Sequence, residues 1–550
     1  MTDIELERLD RDEIIRNLKS TDYDVLVIGG GITGAGIALD AASRGFSVAL
    51  VEMNDFASGT SSRSTKLIHG GLRYLKQFEI ALVREVGRER AIVHKLAPHL
   101  VRSEKMLLPL IQGGTFGKFA TSLGLMVYDV LAGVESADQR KMLSKEETLL
   151  KEPLLDPEVL EGSGIYAEYR TDDARLTVEV IKTACAFGAD CINYVQVLDF
   201  TYDEGTINGA HVRDVASGDL FDISARYVIS AAGPWVDELR DKDDSLEGKR
   251  LHLTKGVHIV IPHDKLPVRQ AVYFDVPDGR MIFAIPRGQV TYVGTTDTDY
   301  SGDKNHVLTN LEDVEYLLDA VNNTFPSVHL TSADVVSSWA GLRPLIHEDG
   351  KSASELSRKD EIFESETGLL SMAGGKLTGY RKMGERIVNI LVKKFEEDHE
   401  DAGLADVQTD HIPLGGAAFK NAEEVNIYQR RVGDAILPFG LGEYDAWYLT
   451  SNYGKQTDTI IENLKSANSK GLHALLEAEV RYCMEFELTH TLCDFFIRRT
   501  GRLYFDIGSV RQGYEWVAEV MAKNLNWDDD RLNEEIQEIR RNIEEVSNFT

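Results

Sequence analysis

Apolar and polar positions near the start of the chain predict a strand, a glycine turn, a helix and a second strand. The apolar run Val25-Leu-Val-Ile ends at Gly29-Gly-Gly, a helical pattern follows from Ile32, and Phe46-Ser-Val-Ala-Leu-Val leads to Glu52. Elements in this order, punctuated by glycine, are typical of a parallel β–α–β unit. The pattern therefore predicts that the chain opens with a nucleotide-binding fold.

Three glycines and one acid give this unit its expected chemistry. Gly29 allows the sharp turn, Gly31 lets a pyrophosphate approach the backbone, and Gly34 lets the helix pack closely on the sheet. The helix N-terminus would face the phosphate, and Glu52 would accept the hydroxyls of the adenosine ribose. An acid there disfavours a 2′-phosphate, so the motif predicts NAD or FAD and leaves the choice open.

Two later segments repeat the step from strand to glycine turn. Tyr227-Val-Ile-Ser leads to Ala231-Ala-Gly233, and Gly368-Leu-Leu-Ser-Met-Ala leads to Gly374-Gly-Lys-Leu-Thr and a helical pattern. A nucleotide fold that opens near the N-terminus and closes this late is typical of a flavin domain with insertions. A helix N-terminus at the late turn would stabilise an anionic reduced flavin.

The intervening and final segments complete the predicted architecture. In residues 256–262, 271–286 and 289–297, apolar and polar positions alternate as in the strands of an antiparallel sheet with one face exposed to solvent. After the acidic run at 395–401, the pattern is helical. The fold class we predict is α/β. A discontinuous FAD-binding Rossmann-like domain with an inserted antiparallel β-sheet substrate domain would be followed by an α-helical C-terminal domain. The predicted bounds are 1–22 for an amphipathic leader, 23–410 for the FAD-binding domain with its insertion, and 411–550 for the helical domain.

Composition narrows the classes of function. A net charge of −30 without a basic run argues against nucleic-acid binding. No signal peptide and no stretch of about 18 apolar residues appears, so we expect a cytoplasmic protein. The apolar segment from Met106 to Gly133 favours buried core, with membrane contact as the alternative. Four cysteines without a C-x-x-C pair predict neither a disulfide framework nor a metal site.

A second dense motif follows directly after Glu52. The segment from Gly59 to Leu75 concentrates hydroxyls, glycines and cations, and with residues 25–36 it resembles the FAD-dependent glycerol-3-phosphate dehydrogenases, which share their fold with glycine and sarcosine oxidases. Further motifs extend the resemblance over nearly the whole chain: Tyr169-Arg-Thr-Asp-Asp-Ala-Arg-Leu, Ala231-Ala-Gly-Pro-Trp-Val, Thr254-Lys-Gly-Val-His-Ile-Val, Val293-Gly-Thr-Thr-Asp, Gly341-Leu-Arg-Pro-Leu, Ser357-Arg-Lys-Asp, Gly374-Gly-Lys-Leu-Thr-Gly-Tyr-Arg-Lys and Phe495-Phe-Ile-Arg-Arg-Thr.

The resemblance implies a flavoprotein that oxidises sn-glycerol 3-phosphate to dihydroxyacetone phosphate, by hydride transfer from C2 to N5 of FAD, and passes the electrons to a quinone. An oxidase that uses oxygen is the alternative, although the run from Val293 to Lys376 lacks the long insertion of some oxidases. Two further candidates are an amino-acid or amine oxidase of the same fold and a flavin-binding redox sensor. Peripheral contact with the inner face of the cell membrane and a homodimer stay open.

The resemblance also assigns residues to the site. The predicted cofactor-binding residues are Gly29, Gly31, Gly34, Glu52, Thr60, Ser61, Ser62, Gly233, Gly375, Lys376, Leu377 and Thr378. Arg343 and Arg358 would hold the substrate phosphate with Lys376 nearby, and Arg73 and Tyr74 would border the flavin and the glycerol hydroxyls. Guanidinium groups suit a phosphate because they make paired charge-assisted hydrogen bonds.

Oxidation of an alcohol also needs an acceptor for the hydroxyl proton. His258, in a predicted strand, is the first candidate, because imidazole ordinarily titrates near neutral pH; a base of this kind predicts a rise in rate between about pH 6 and 8. His69 is the second candidate. Arginines such as Arg343 could instead lower the pKa of the alcohol enough that no strong protein base is needed.

Overall fold

A computed structural model describes residue 4 and residues 6–69, 80–114, 140–347, 360–398, 403–416, 419–467 and 469–549. The strands are β1 (Asp22–Ile28), β2 (Val48–Val51), β3 (Leu67–Ile68), β4 (Arg102–Ile111), β5 (Lys141–Leu143), β6 (Leu160–Arg170), β7 (Asp190–Ile192), β8 (Val195–Asp203), β9 (Thr206–Asp214), β10 (Leu220–Ser230), β11 (Leu251–Pro262), β12 (Ala271–Asp275), β13 (Met281–Arg287), β14 (Val290–Gly294), β15 (Thr298–Asp299), β16 (Ser337–Ile346), β17 (Glu361–Glu364) and β18 (Leu370–Ala373).

Helices cover the faces of the sheets and fill the C-terminal part. They are α1 (Arg11–Ser20), α2 (Ile32–Arg44), α3 (Ile80–Leu96), α4 (Lys145–Lys151), α5 (Asp173–Ala186), α6 (Val236–Lys242), α7 (Leu311–Thr324), α8 (Tyr380–Asp398), α9 (Ala422–Ile436), α10 (Glu443–Tyr453), α11 (Thr457–Ser466), α12 (Leu472–Phe486), α13 (Arg502–Phe505), α14 (Ile507–Leu525) and α15 (Asp529–Ser547).

The first sheet is the nucleotide-binding one. Its described strands run in the order β17-β18-β10-β1-β2-β7, with β8 and β9 added beside β10. The strands from β18 to β7 are parallel to one another along this path, and β17 is antiparallel to β18. Parallel strands bring their carboxyl ends to one edge, so the turns that follow β1, β10 and β18 meet there although they are far apart in sequence.

The second sheet forms the inserted domain. Its main path is β15-β11-β14-β13-β12-β4-β6-β3, and β16 pairs with β11 over ten residues. The pairing is antiparallel except between β12 and β4, where Ala271 and Met106 are partners in a parallel ladder. The apolar segment that begins at Met106 is buried where it lies in β4, and residues 115–133 of that segment lie outside the described part of the chain.

The helical C-terminal region packs against both sheets. Its core cluster includes Trp339 and Tyr292 of the second sheet together with Phe495 and Phe505. The N-terminal leader forms α1, which buries Ile14 and Leu18 in the core of the first sheet. The α/β fold class with its two sheets and helical C-terminal part is therefore confirmed. Among the described residues, no helix combines the length and the apolar character needed to cross a membrane.

Candidate active site

The glycine turn after β1 is built by very close backbone contacts. Gly29 has a φ of +116°, and a Cβ at this position would lie 2.6 Å from the carbonyl oxygen of Ala231. A Cβ on Gly34 would lie 1.9 Å from the carbonyl oxygen of Gly29. Real side chains cannot occupy these distances, so the turn and the first turn of α2 require glycine.

Glu52 fixes this turn from the end of β2. Its carboxylate accepts hydrogen bonds from the backbone N–H of Gly30 at 2.7 Å and of Asn54 at 2.9 Å. Burial raises the pKa of Glu52 above its usual value, while these two donors act in the opposite direction. The acid predicted to bind ribose thus also orders the peptide planes of the turn.

A cleft follows the carboxyl edge of the first sheet. Most of the predicted cofactor residues line it: Gly29, Gly31, Glu52, Thr60, Ser61, Gly233, Gly375, Lys376 and Leu377. The hydroxyl of Ser61 accepts the N–H of Ile32 at 2.9 Å and so caps the start of α2. Ala231, Ala232 and Trp235 form another wall of the cleft. Its small residues and backbone groups leave room for an extended ligand.

The remaining predicted cofactor residues support the cleft from behind. Gly34 packs against Gly29, and the backbone carbonyl of Ser62 accepts a hydrogen bond from Lys66 at 3.0 Å. Thr378 connects two turns that are 309 residues apart: its hydroxyl accepts the N–H of His69 at 3.1 Å and donates to the carbonyl of His69 at 3.2 Å. His69 is thereby held beside the glycine turn after β18.

One face of the second sheet presents a row of rings toward this region. Direct strand partners place Tyr273, Phe283, Gly294, His258 and Trp339 side by side across β12, β13, β14, β11 and β16. The ring of His258 fills the space above Gly294, where a Cβ would lie 2.0 Å from the imidazole. His69 lies next to this row of side chains, with its ring centroid 6.4 Å from that of Phe283. Both histidine candidates therefore lie on the same face of the second sheet.

The environment of His258 changes what the sequence predicted for it. The residue is 1% exposed, and its Nε2 is 3.0 Å from the hydroxyl of Thr65, while the buried Nδ1 has no hydrogen-bond partner among the described residues. Burial, together with the positive charges of Arg343 and Lys66, lowers the pKa of His258 well below 6.5. This shift favours a neutral imidazole, whereas the predicted rise in rate between pH 6 and 8 assumes an ordinary one; that rise stays a prediction.

Arg343 is held on the same face by the loop after β14. Its guanidinium donates to the carboxylate of Asp297 at 3.0 Å, to the carbonyl of Thr296 at 3.1 Å and to the hydroxyl of Thr295 at 2.9 Å. It extends over Gly256, where a Cβ would lie 2.2 Å from it. The side chain is 22% exposed, so these bonds fix its position while part of the side chain reaches solvent.

A buried group of charges lies next to the cleft. Lys66 is 1% exposed and forms an ion pair with Asp173, which itself lines the cleft. Its ammonium is 3.9 Å from Asp172, whose other partner is Arg287 at 2.9 Å. Burial alone would raise the pKa of Asp172, but Lys66 and Arg287 outweigh it and lower the pKa to about 2. Asp172 therefore stays ionised inside the protein.

Sequence reasoning missed several of these residues. Thr65, Lys66, Asp173 and Asp297 all stand inside motifs that carry the family resemblance, but no role was assigned to them. Their motif membership was the available signal, whereas their partners come from remote strands. Three predicted substrate residues, Arg73, Tyr74 and Arg358, lie outside the described residues.

Two family models match the chain. The model described as FAD dependent oxidoreductase matches residues 24–381. The model described as the C-terminal domain of alpha-glycerophosphate oxidase matches residues 407–532. The two matches correspond to the sheet-containing part and to the helical part of the fold.

Curated relatives match over nearly the whole length. An aerobic glycerol-3-phosphate dehydrogenase of Staphylococcus haemolyticus is 51% identical over 98% of each chain, and one of Bacillus subtilis is 48% identical over the same shares. The crystal structure of the glycerol-3-phosphate dehydrogenase of Bacillus halodurans complexed with FAD has a TM-score of 0.83, with 42% identity and 98% of both chains covered. The L-alpha-glycerophosphate oxidase of Mycoplasma pneumoniae, at 20% identity and a TM-score of 0.55, covers 68% of this chain and 95% of its own and shares the fold.

Proposed function

This chain belongs to the FAD-dependent oxidoreductase family and, within it, to the aerobic glycerol-3-phosphate dehydrogenases, and from this premise we propose how its site oxidises sn-glycerol 3-phosphate to dihydroxyacetone phosphate. The observation that carries the proposal is that the sheet face bearing His258 packs on the segment that lines the cofactor cleft. Ser64 of that segment lines the cleft and accepts a hydrogen bond from Trp339 at 3.1 Å, and the hydroxyl of Thr65 is 3.0 Å from Nε2 of His258. The predictions of an FAD-dependent enzyme and of this family are confirmed by the matched relatives.

The cleft fits FAD by its own chemistry. The glycine turn at Gly29–Gly31 can approach a pyrophosphate, Glu52 can accept ribose hydroxyls, and the turn at Gly374–Leu377 offers backbone donors at the other end. When bound, FAD supplies a two-electron acceptor for the hydride of the substrate C2. The chain must supply the rest: it binds the phosphate, orients the glycerol and takes up a proton.

Arg343 is the proposed phosphate ligand among the described residues. Asp297, Thr296 and Thr295 hold its guanidinium in a fixed orientation, and a planar guanidinium can make charge-assisted hydrogen bonds to a dianionic ligand. Lys376 lines the cleft at the turn after β18 and adds positive charge. Arg73, Tyr74 and Arg358 stay proposals from the family resemblance.

We assign the proton-accepting role to His69 ahead of His258. A base must contact the hydroxyl of the substrate, and His258 is almost wholly enclosed between Thr65, Gly294 and Trp339. His69 is half-buried, and Thr378 holds its backbone at the end of the cleft. His258, as a neutral ring, would then support the wall of the site. Arg343 could in addition lower the pKa of the alcohol.

A quinone is the proposed electron acceptor, and oxygen is the alternative. By the family resemblance, the run from Val293 to Lys376 lacks the long insertion of some oxidases of the family, which favours a dehydrogenase. We propose further that the protein is cytoplasmic and contacts the inner face of the cell membrane peripherally. A homodimer is compatible with the family.

One experiment tests the function and separates it from its rivals. Under anaerobic conditions, glycerol 3-phosphate should bleach the flavin absorbance, whereas glycine and sarcosine should not. Re-oxidation by a soluble naphthoquinone should then be much faster than re-oxidation by air. Bleaching by an amine would favour an amine oxidase, fast re-oxidation by oxygen would favour an oxidase, and a flavin that no substrate bleaches would leave only a sensor.

A further inference from the structure

A loop on the far wall of the cofactor cleft holds the glycine turn in place. After Glu52 the chain turns back so that the ring of Phe56 packs against Gly30, where a Cβ would lie 2.8 Å from it. The N–H of Ala57 donates to the carbonyl of Gly30 at 3.0 Å, and Ala57 adopts a φ of +62°. Met53, Ser58 and Gly59 of this loop line the cleft itself. Residues 53–59, here called the cofactor loop, thus connect the glycine turn to the ligand.

Asp55 anchors the cofactor loop from its buried side. The residue is 1% exposed and does not line the cofactor cleft; its carboxylate oxygens point instead toward the helical C-terminal domain. Arg499 donates from Nη1 to Oδ2 at 2.7 Å and from Nη2 to Oδ1 at 2.8 Å, which is a paired contact between planar groups. Arg498 donates to the same carboxylate from Nε. Asn193 adds a hydrogen bond to Oδ1 at 2.9 Å.

The two consecutive arginines reach one carboxylate because the helix there is distorted. Asp494–Arg499 forms a turn of π-helix, a rare geometry that occurs often at functional sites. Arg498 also donates to Asp494 at 2.8 Å, and Arg499 donates to the carbonyl of Glu487 at 2.7 Å. Burial alone would raise the pKa of Asp55, but Arg499 and Arg498 outweigh it and hold the pKa below its usual range. The ion pair therefore persists in the interior.

We propose that Arg499, with Arg498, is a positioning residue for FAD: the helical domain holds Asp55, Asp55 holds the cofactor loop, and the loop holds the glycine turn at Gly30. The proposal rests on FAD being the cofactor. It gives the helical domain a part in cofactor retention although its Arg498 and Arg499 do not line the cofactor cleft. An anchored loop loses less conformational entropy when the ligand binds, so the anchor should appear as affinity for FAD.

The test measures release of FAD from the holoenzyme on dilution, through the rise in flavin fluorescence. Arg499→Met and Asp55→Asn should each weaken FAD binding by roughly tenfold to a hundredfold, the cost of a displaced binding element. Because both substitutions break the same contact, the double variant should bind FAD about as tightly as the single variant with the lower affinity. Turnover at saturating FAD should return to the parent value.

Arg502→Met is the matched control. Arg502 pairs with Glu479 at 2.7 Å, both are buried, and both belong to the helical domain. This variant should lower the melting temperature as Arg499→Met does but keep the parent FAD dissociation constant. If Arg499→Met does not fold, Arg499→Lys, which keeps the charge but loses the paired contact, should show an intermediate weakening.

Three results would overturn the proposal. The first is a dissociation constant for FAD that equals the parent value in folded Arg499→Met or, if that variant does not fold, in Arg499→Lys. The second is a double variant in which the losses of FAD affinity of the two single variants add. The third is a loss of FAD affinity in Arg502→Met equal to that in Arg499→Met. A parent protein that does not bind FAD at all would instead overturn the proposed function, so the two failures are distinguishable.

Discussion

The imidazole of His258 stacks on the indole of Trp339, with ring centroids 4.8 Å apart and planes 10° apart. The two residues are direct partners across β11 and β16. On its other side the imidazole packs over Gly294, which has no side chain. A ring enclosed in this way cannot swing out toward a ligand at low cost. This enclosure determines what substitutions of the two candidate bases should do.

Replacing His69 should impair catalysis more than replacing His258. His69→Asn should slow anaerobic flavin reduction by roughly 10²- to 10⁴-fold, the usual contribution of a general base, with FAD binding intact. His258→Asn keeps a polar side chain beside Thr65 and should slow reduction by at most about tenfold. Stopped-flow bleaching at saturating substrate measures both. The reverse order of effects would return the proton-accepting role to His258.

Arg343→Ala should weaken binding of the phosphate substrate specifically. Loss of charge-assisted hydrogen bonds costs roughly 1.5 to 3 kcal/mol, which corresponds to about a tenfold to a hundredfold rise in the dissociation constant. Turnover of glycerol, which lacks the phosphate, should change little. Arg280→Ala is the control, since Arg280 pairs with Asp278 on the surface. Equal losses with glycerol and glycerol 3-phosphate would show that Arg343 has only a structural role.

Acidification should destabilise the fold from about pH 6.5 downward. Burial, reinforced by neighbouring cations, lowers the pKa of His99 to about 3, and burial lowers that of His490 to about 4. His258 is shifted in the same direction. Since an unfolded chain binds these protons near pH 6.5 and the folded chain does not, stability falls as the pH drops below that value, by up to roughly 1.4 kcal/mol per pH unit for each group.

Thermal unfolding of the holoenzyme between pH 7 and pH 5 checks this dependence. His99→Phe removes one titrating ring from a buried position and should flatten the decline in melting temperature. A melting temperature that is constant across this window would contradict the assignment of neutral buried rings.

FAD should be bound without a covalent link. None of the four cysteines lines the cofactor cleft, and His69 is not among its described lining residues. Acid precipitation should leave the yellow colour in the supernatant, and colour that stays in the pellet would disprove the prediction.

Gly31 and Gly34 should respond differently to substitution. A Cβ on Gly34 would collide with the backbone of Gly29, so Gly34→Ala should destabilise the fold by about 3 kcal/mol or more. The nearest atom to a Cβ on Gly31 is the Ser61 hydroxyl at 3.1 Å, so Gly31→Val should fold but exclude the pyrophosphate. Melting temperature and flavin content separate the two. Full flavin content in Gly31→Val would mean that the turn has been misinterpreted.

The sequence was most informative where the relevant contacts are local. The turn at Gly29, the acid at Glu52 and the glycine turn after β18 follow from patterns within a few residues. The domain bounds at 22 and 410 stay predictions, although the family matches at 24–381 and 407–532 support them. Local pattern was sufficient for the cofactor side of the site because each strand carries its own turn.

The substrate side depends on pairings that a local pattern does not contain. His258 meets Gly294 only because β11 pairs with β14, and Arg343 lies over Gly256 only because β16 pairs with β11. Burial of His258, and hence the shift in its pKa, results from these partners. The pH dependence predicted from an ordinary imidazole does not include this shift, and it stays a prediction.

The order of strands in the first sheet has a consequence for synthesis of the protein. The central strand β1 lies between β2 and β10, and β10 is followed in the sheet by β18, so strands from residues 22–28, 220–230 and 370–373 are close neighbours. Pairings this remote in sequence form slowly, because long loops must close first. A nascent chain that has emerged only as far as β10 exposes the edge that β18 later covers. Assembly of the pocket must therefore wait until about two-thirds of the polypeptide has left the ribosome, and a partly made chain would depend on chaperones to protect that edge.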